Sequence, residues 1–264
     1  MNLGKAEQSL SGFTHHDFAS MLNQYKYQLN IGDIIGGTIF SQEKKGFLVD
    51  IGEHVAGYLP KDEISISQYR KTEPVTNNSR EFFIVAYNKK AQQLILSIKR
   101  LEYIRGWQRV KQIKQEDAVI SVVINKINKG GLIATLEGMR CFIPNSHITK
   151  IKEKARMTES KIRCQILFLN EKTNTIIISQ KRAALKNLLS KIYIGQKIQG
   201  VITKIQTYGA FVNIHGLNAL LHISEIDNKV NKTKNLQVGS LIYVQIIHID
   251  TKQGRLSVST KNLN

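Results

Sequence analysis

The sequence predicts an all-β protein made of three tandem five-stranded barrels joined by short helical linkers. The first observation is an internal repeat, because three related segments begin at Gly36, Ser121 and Gln199. The second is that each segment is followed by a variable loop and two more strand-like runs, which gives five short strands in about 70 residues per copy. A repeated unit of this length is long enough for one small hydrophobic core.

The third observation is the period of the apolar residues. In the third copy Ala210, Val212 and Ile214 alternate with Phe211 and Asn213. A period of two is typical of a strand with one buried and one wet face. The equivalent inward positions are Phe47, Val49 and Ile51 in the first copy and Leu132, Ala134 and Leu136 in the second.

A glycine opens this strand in every copy, at Gly46, Gly131 and Gly209. We expect each glycine to serve a turn or bulge at a barrel corner, because glycine tolerates backbone conformations that other residues avoid. Five strands with such corners predict the OB-fold, in which closure of the barrel removes exposed edges. Pro60, Pro144 and His222 align in the same way.

The repeats divide the chain into six predicted segments. They are an N-terminal extension with a short amphipathic helix (1–30), a first OB-type repeat (31–100), a helical linker (101–116), a second repeat (117–182), a second helical linker (183–193) and a third repeat (194–264). In the first linker Leu101, Ile104, Trp107, Val110 and Ile113 form a helical stripe. We interpret Trp107 as a residue that packs between repeats rather than as a platform for a base.

The charge of the chain favours a polyanionic partner. Its 264 residues carry 38 basic and 20 acidic side chains, a net charge of +18, and basic side chains bind a phosphate backbone by releasing counterions. The charge is uneven: residues 101–190 have a net charge of +10, residues 191–264 of +6, residues 31–100 of +2 and residues 1–30 of zero. A basic protein without a nucleic-acid role is the alternative at this point.

Several classes of function are disfavoured. No apolar run approaches the ~20 residues that span a bilayer, and the first residues resemble neither a secretory signal nor a transit peptide. Cys141 and Cys164 lie in strand-like stretches and are interpreted as buried hydrophobic residues in a reducing compartment, not as a metal pair. No nucleotide-binding, metalloprotease or paired-cysteine motif is present, and the acidic pair Asp62–Glu63 is typical of a helix N-terminus. We therefore expect no enzyme, no catalytic residues, no metal and no cofactor.

The third repeat carries the candidate site for single-stranded RNA. Tyr208 and Phe211 supply exposed rings on which unpaired bases can stack. His222 can stack or donate a hydrogen bond, and Asp250 and Arg255 flank the last tight turn, where they can contact ribose and phosphate. In the alternative interpretation Phe211 packs under a loop and Tyr208 caps the end of the barrel.

The first two repeats lack rings at the aligned positions, which are Lys45, Leu48 and Pro60 in the first copy and Gly130, Ile133 and Pro144 in the second. We therefore expect no ring surface there. A basic run in the second repeat favours ribosomal RNA, a protein partner or a solvated face about equally; it comprises Lys126, Lys129, Arg140, Lys150, Lys152, Lys154 and Arg156.

The motif Y-G-A-F-V at Tyr208–Val212, with H-I-S at His222–Ser224, resembles the RNA-binding repeat of the ribosomal protein S1 family. The phrases REFFIVAYN, RLEYIRGWQRVKQ and KGGLIATLEGMRCFIPNSHI resemble its short three-repeat form in cyanobacteria and plastids. The resemblance extends over nearly all of residues 12–262. Its RNA-contact positions match at Tyr208, Phe211, His222 and Asp250, whereas Arg255 matches only if one residue is inserted in its turn.

The resemblance implies a component of the small ribosomal subunit that binds single-stranded mRNA and aids translation initiation. The third repeat would be the main RNA reader, and the first repeats would attach to small-subunit proteins, with ribosomal RNA as a further candidate partner. The abundance of Lys, Asn and Ile, which have A/T-rich codons, favours a plastid-encoded protein associated with ribosomes in the chloroplast stroma; the alternative location is a bacterial cytoplasm. The alternative function is an RNA-binding scaffold for RNA stability or transcription that acts off the ribosome.

Overall fold

The computed structural model describes residues 29–52, 55–65, 78–88, 92–149, 151–227, 236–261 and 263. The predicted N-terminal amphipathic helix lies outside the described residues.

The first repeat forms a closed five-stranded barrel. Its strands are β1 (Ile34–Gln42), β2 (Gly46–Asp50), β3 (Ala56–Pro60), β4 (Ser79–Asn88) and β5 (Gln93–Ser97). They are hydrogen-bonded in the order β1-β2-β3-β5-β4, and β4 returns to pair with β1. All pairs are antiparallel except β3 with β5, which is parallel.

The second and third repeats form barrels of the same order. The second contains β6 (Ile120–Asn128), β7 (Gly131–Leu136), β8 (Met139–Pro144), β9 (Lys161–Asn170) and β10 (Thr175–Ser179). The third contains β11 (Lys197–Gln206), β12 (Gly209–Ile214), β13 (Leu217–His222), β14 (Leu241–Asp250) and β15 (Arg255–Ser259). Both close through the same neighbours as the first barrel, so the predicted all-β fold of three OB-type barrels is confirmed.

Two α-helices follow the first and second barrels, and short 3-10 turns follow each third strand. Helix α1 spans Ile98–Gln115 and α2 spans Gln180–Leu188; the 3-10 turns are Lys61–Glu63, Asn145–His147, Ile151–Arg156 and Ile223–Glu225. Trp107 is 1% exposed and lies in the core of the second barrel rather than between repeats, so it packs and offers no platform for bases. Neither described helix combines the length and apolarity needed to cross a membrane.

The alternation of apolar residues places the core as predicted. Ala210, Val212 and Ile214 are each at most 1% exposed and line the third barrel, while Phe211 and Asn213 point outward. The equivalent residues of the other barrels are also inward, with Ile51 only partly buried. Each barrel therefore has its own core, and the outward side chains of its strands are available for contacts with a ligand.

The three aligned glycines are required by a close backbone contact. Gly46 pairs with Pro60, Gly131 with Pro144 and Gly209 with His222. A Cβ atom at these glycines would lie 2.5, 2.1 and 2.2 Å from the carbonyl oxygens of Leu59, Ile143 and Leu221, respectively. Each glycine directly follows the turn between the first two strands of its barrel, as one expected alternative had it, whereas the bulge lies in the preceding strand, between Ile39 and Ser41 in the first barrel.

The two cysteines are buried thiols, as interpreted. Cys141 is 1% exposed and Cys164 is fully buried in the second barrel. Burial raises the pKa of each thiol to about 12, because desolvation disfavours the thiolate. Both side chains therefore act as small apolar residues of the core.

The second and third barrels belong to one compact unit, and the first barrel is a separate unit. Within the larger unit, Arg182 of α2 joins the two barrels. Its guanidinium donates to Asp117 Oδ1 (2.8 Å), to the Ile166 carbonyl and to the Thr251 carbonyl (3.1 Å). The Arg182 side chain is only 12% exposed, so these hydrogen bonds lie partly out of water, where losing one partner is costly.

Replacing Arg182 by alanine is expected to lower the free energy of unfolding of the unit by about 2–3 kcal/mol, since two carbonyl groups and one carboxylate lose a donor. The half-exposed Asp117 contributes the smaller part, because water screens it. Urea unfolding followed by Trp107 fluorescence measures the change. The control is Arg109→Ala on α1, where, among the described residues, the exposed arginine donates a side-chain hydrogen bond to the nearby Gln112. Equal stability of the two variants would contradict the role of Arg182.

Candidate nucleic-acid interface

The outer face of the third barrel carries one row of side chains that crosses all five strands. Lys204 pairs with Phe211, Phe211 with Leu220, Leu220 with Ser257, and Ser257 with His248. We call these five positions the central row. Because the barrel is closed, the row runs round its outside, and it brings together neighbours from distant parts of the repeat, with the Lys204 cation beside the Phe211 ring.

Tyr208 and Phe211 lie together at one end of this face. Their ring centroids are 6.4 Å apart with an angle of 89° between the ring planes, an edge-to-face contact. Tyr208 is 47% exposed, and Phe211 is partly buried against it. Two rings held at right angles on a barrel surface can offer stacking platforms to unpaired bases.

His222 lies beside the rings, opposite Gly209 at the end of β13. Its Nδ1 accepts the backbone N–H of Ser224 (3.2 Å) and lies 2.8 Å from the Ser224 hydroxyl. Because Nδ1 is the acceptor, the neutral ring carries its proton on Nε2. The exposed imidazole can therefore donate from Nε2 to a phosphate or a base.

Asp250 and Arg255 form a cross-strand pair at the β14–β15 turn. The Asp250 carboxylate accepts the backbone N–H of Gln253 (2.9 Å), so one of its oxygens serves the turn itself. Arg255 is exposed and shares the outward side of β15 with Ser257. Arg255 thus lies on the outside of the barrel two residues from Ser257, on the side of the central row away from His222.

Arg255 also lies near the junction with the second barrel. Burial lowers the pKa of His147, with further lowering by the positive charges of Lys181, Arg255 and Arg182. Burial, and then the charge of Arg255, lower the pKa of Lys181. His147 shares a hydrogen bond of 2.9 Å with the Ser179 hydroxyl. The positive charges of Lys181, Arg182 and Arg255 therefore lie close enough to His147 to disfavour its protonated form.

Sequence reasoning missed two charged or titratable members of the face, Lys204 and His248, and its polar border. Thr203 donates to the Phe211 carbonyl (3.2 Å), and Asn213 donates to Asn218 (3.3 Å). Alternation alone would place Lys204 on the inward side with Ile202 and His248 with Ile246, but register shifts in β11 and β14 turn both side chains outward. Their neighbourhood becomes visible only from the pairing of strands that are distant in sequence.

The second barrel carries rings on its outer face, so the expectation of no ring surface there is wrong. Its central row is Lys126, Ile133, Phe142, Ile177 and Phe168. The aligned positions indeed lack rings, but β8 and β9 supply them instead.

In the first barrel the corresponding row is Ser41, Leu48, Tyr58, Ile95 and Ala86, which contains one ring and no cation.

The basic run of the second repeat is only partly available to a ligand. Lys154 donates to the Asn128 carbonyl (2.5 Å) and to Asn145 Oδ1 (2.7 Å), so it braces the loop. The exposed members are Lys126, Lys129, Arg140 and Arg156. The side chains of Lys150 and Lys152 lie outside the described residues.

The described residues contain no cluster of three or more histidine, cysteine or carboxylate side chains that could hold a metal ion. Asp62 and Glu63 lie in the 3-10 turn Lys61–Glu63, where Glu63 accepts a hydrogen bond of 2.5 Å from the Ser97 hydroxyl. Glu63 of the acidic pair therefore has a structural role, because it ties the 3-10 turn to the end of β5.

The S1 RNA binding domain family matches residues 28–99 and 191–261, which are the first and third barrels. The chain is 44% identical over 256 residues to small ribosomal subunit protein bS1c of Pyropia yezoensis, covering 96% of this chain and 97% of that protein. The chain belongs to the bS1 family of small ribosomal subunit proteins.

Two further members of the bS1 family extend the comparison. Identity is 40% to bS1 of a Synechococcus strain, over 96% of this chain and 83% of that protein. It is 32% to bS1c of Spinacia oleracea, over 95% of this chain and 62% of that protein. All three relatives are named as ribosomal proteins, and the resemblance inferred from the motifs is confirmed.

Proposed function

We propose that the protein is a component of the small ribosomal subunit that holds single-stranded mRNA on its third barrel and aids translation initiation. The observation that carries the proposal is the outer face of that barrel, where Tyr208 and Phe211 lie beside Lys204 and His222. Rings bind unpaired bases and cations track the phosphates, which is how OB-folds hold single strands. Asp250 and Arg255 complete the proposed contact set toward ribose and phosphate.

The first barrel is proposed to attach the protein to small-subunit proteins. Residues 31–100 have a net charge of only +2, and the central row of this barrel contains no cation. The one ring of that central row, Tyr58, packs over Gly46, since a Cβ atom at Gly46 would lie 2.7 Å from Tyr58 Cζ. Such a surface suits a protein neighbour better than a polyanion.

Association with plastid ribosomes in the stroma follows from the same proposal, because two of the relatives compared above carry the name bS1c. No catalytic activity is part of the proposal, since RNA would be held and not transformed. The alternative function is a scaffold for RNA stability or transcription that acts away from ribosomes. The experiment below must distinguish it from the ribosomal function.

The test is co-sedimentation with purified small ribosomal subunits in the presence of a labelled mRNA leader. We expect the full chain to sediment with the subunit and to increase the mRNA in that fraction. The Tyr208→Ala/Phe211→Ala variant should sediment equally well but recruit little mRNA. If the full chain remains at the top of the gradient while still binding RNA, the ribosomal part of the proposal is wrong.

A further inference from the structure

We propose that the second barrel carries its own surface for single-stranded RNA, centred on Phe142 and Phe168. This inference rests on the proposed RNA-binding function, but it uses residues that have no counterpart among the rings of the third barrel. The second repeat also lies outside the two segments matched by the S1 RNA binding domain family. Its surface must therefore be argued from the structure of the barrel itself.

The two rings occupy the central row of the second barrel. Phe142 on β8 and Phe168 on β9 both pair with Ile177 on β10, one from each side. With neighbouring strands about 4.8 Å apart, the two ring-bearing backbones are roughly 10 Å apart. That separation allows each ring to serve a different base of one strand.

The rings differ in how they are held. Phe168 is 47% exposed, as exposed as Tyr208 in the third barrel. Phe142 is partly buried because its ring rests on the Gly130–Gly131 backbone: a Cβ atom at Gly131 would lie 2.7 Å from Phe142 Cζ. Phe142 is thus a positioned ring, and Phe168 is a large apolar side chain that water surrounds unless a ligand covers it.

The charge of the face identifies RNA as the ligand. The five strands of the second barrel contain no Asp or Glu, yet they contain Lys126, Arg140, Lys161 and Arg163, all exposed. Lys126 ends the central row, and Arg140 lies two residues before Phe142 on β8. Rings on a barrel surface whose strands carry cations and no carboxylate complement a chain of phosphates and unpaired bases.

Comparison with the third barrel supports the same ligand. Lys126 and Lys204 occupy equivalent positions at one end of the row, and Phe168 occupies the position of His248 at the other. In the second barrel the rings are on the equivalents of β13 and β14 instead of β12, while the lysine is at the same position in both barrels. The second and third barrels therefore each combine rings and a basic group on the outer face.

The test measures the affinity of the full chain for a single-stranded RNA of about 24 nucleotides, long enough for two OB sites of ~4–16 nucleotides each. Phe168→Leu, which keeps the apolar contact but removes the ring, should weaken binding about tenfold, both in the parent chain and in the Tyr208→Ala/Phe211→Ala background. The matched control is Phe40→Leu, a phenylalanine 51% exposed at the bulge of β1. It should leave the affinity unchanged.

A second variant guards against an effect of folding. Lys126→Gln removes an exposed charge at the end of the row, and it should reduce the slope of log affinity against log salt by about one phosphate contact. Circular dichroism spectra matching the parent show that the barrel is intact.

Each result discriminates between the two proposals. Unchanged affinity of Phe168→Leu in both backgrounds overturns the second surface and leaves the third barrel as the reader. Weakening by Phe168→Leu alone, with no effect of Tyr208→Ala/Phe211→Ala, supports the second surface and contradicts the reader proposed for the third. Loss of small-subunit binding with unchanged RNA affinity would make the face a protein interface and overturn the proposal.

Discussion

Replacing Tyr208 and Phe211 together by alanine is expected to weaken the binding of a short single-stranded RNA by about two orders of magnitude. Stacking contributes ~1–3 kcal/mol per base, and every 1.4 kcal/mol is a factor of about ten. The two rings are in edge-to-face contact with centroids 6.4 Å apart, so the double variant removes one joint surface rather than two independent ones. Fluorescence anisotropy of a labelled oligonucleotide of about eight nucleotides, short enough for one barrel, measures the loss.

The matched control for this prediction is Tyr243→Ala. Tyr243 is 63% exposed on β14 of the same barrel, but it pairs with Gln199 and not with a member of the central row. We expect the affinity of Tyr243→Ala for the oligonucleotide to remain within about twofold of that of the parent chain, since surface substitutions away from a site have small effects. A similar loss in Tyr243→Ala and in the ring variant would mean that general ring exposure, not this face, binds RNA.

Replacing Gly46 by alanine is expected to destabilise the first barrel by about 3 kcal/mol, the upper range for overpacking. The new Cβ atom would lie 2.5 Å from the Leu59 carbonyl oxygen and 2.7 Å from Tyr58 Cζ. Since the first contact is with backbone, relief requires a shift of β3 relative to β2. Hydrogen exchange of peptides from β1 to β5, measured by mass spectrometry, reports the stability of this barrel alone.

Gly36→Ala in the same barrel is the control, and it is expected to act in the opposite direction. Nothing lies within 4 Å of a Cβ atom at Gly36, and its backbone is not in the left-handed region. Alanine there should stabilise by a few tenths to about 1 kcal/mol, because glycine costs conformational entropy in a strand. If the two substitutions had equal effects, glycine content and not the close strand contact would explain the repeated residue.

The fold could be predicted because its signals are local. The alternation of Ala210, Val212 and Ile214 with outward residues needs only the period of a strand, and the threefold recurrence repeats the same test. Tyr208 in the β11–β12 turn and Phe211 on β12 are only three residues apart, so their proximity also follows from local geometry. The same reasoning made Trp107 a packing residue, and the structure buries it.

Features that depend on distant strand pairing could not be read in this way. Alignment of the repeats compares the same strand in each copy, so it found Ile133 where a ring was sought and overlooked Phe142 and Phe168 on two other strands. The joint made by Arg182 likewise depends on how α2 meets the β14–β15 turn. The sequence left a turn or a bulge open at each glycine, because it does not indicate the register in which the neighbouring strand pairs.

The most direct test of the account is to map where a single-stranded RNA crosslinks to the full chain bound to small ribosomal subunits. An oligonucleotide carrying 4-thiouridine is irradiated, and the attached peptides are identified by mass spectrometry. We expect the peptide containing Tyr208 and Phe211 to be the main product and to disappear in the Tyr208→Ala/Phe211→Ala variant. Crosslinks confined to the first barrel, with none on the third, would contradict it.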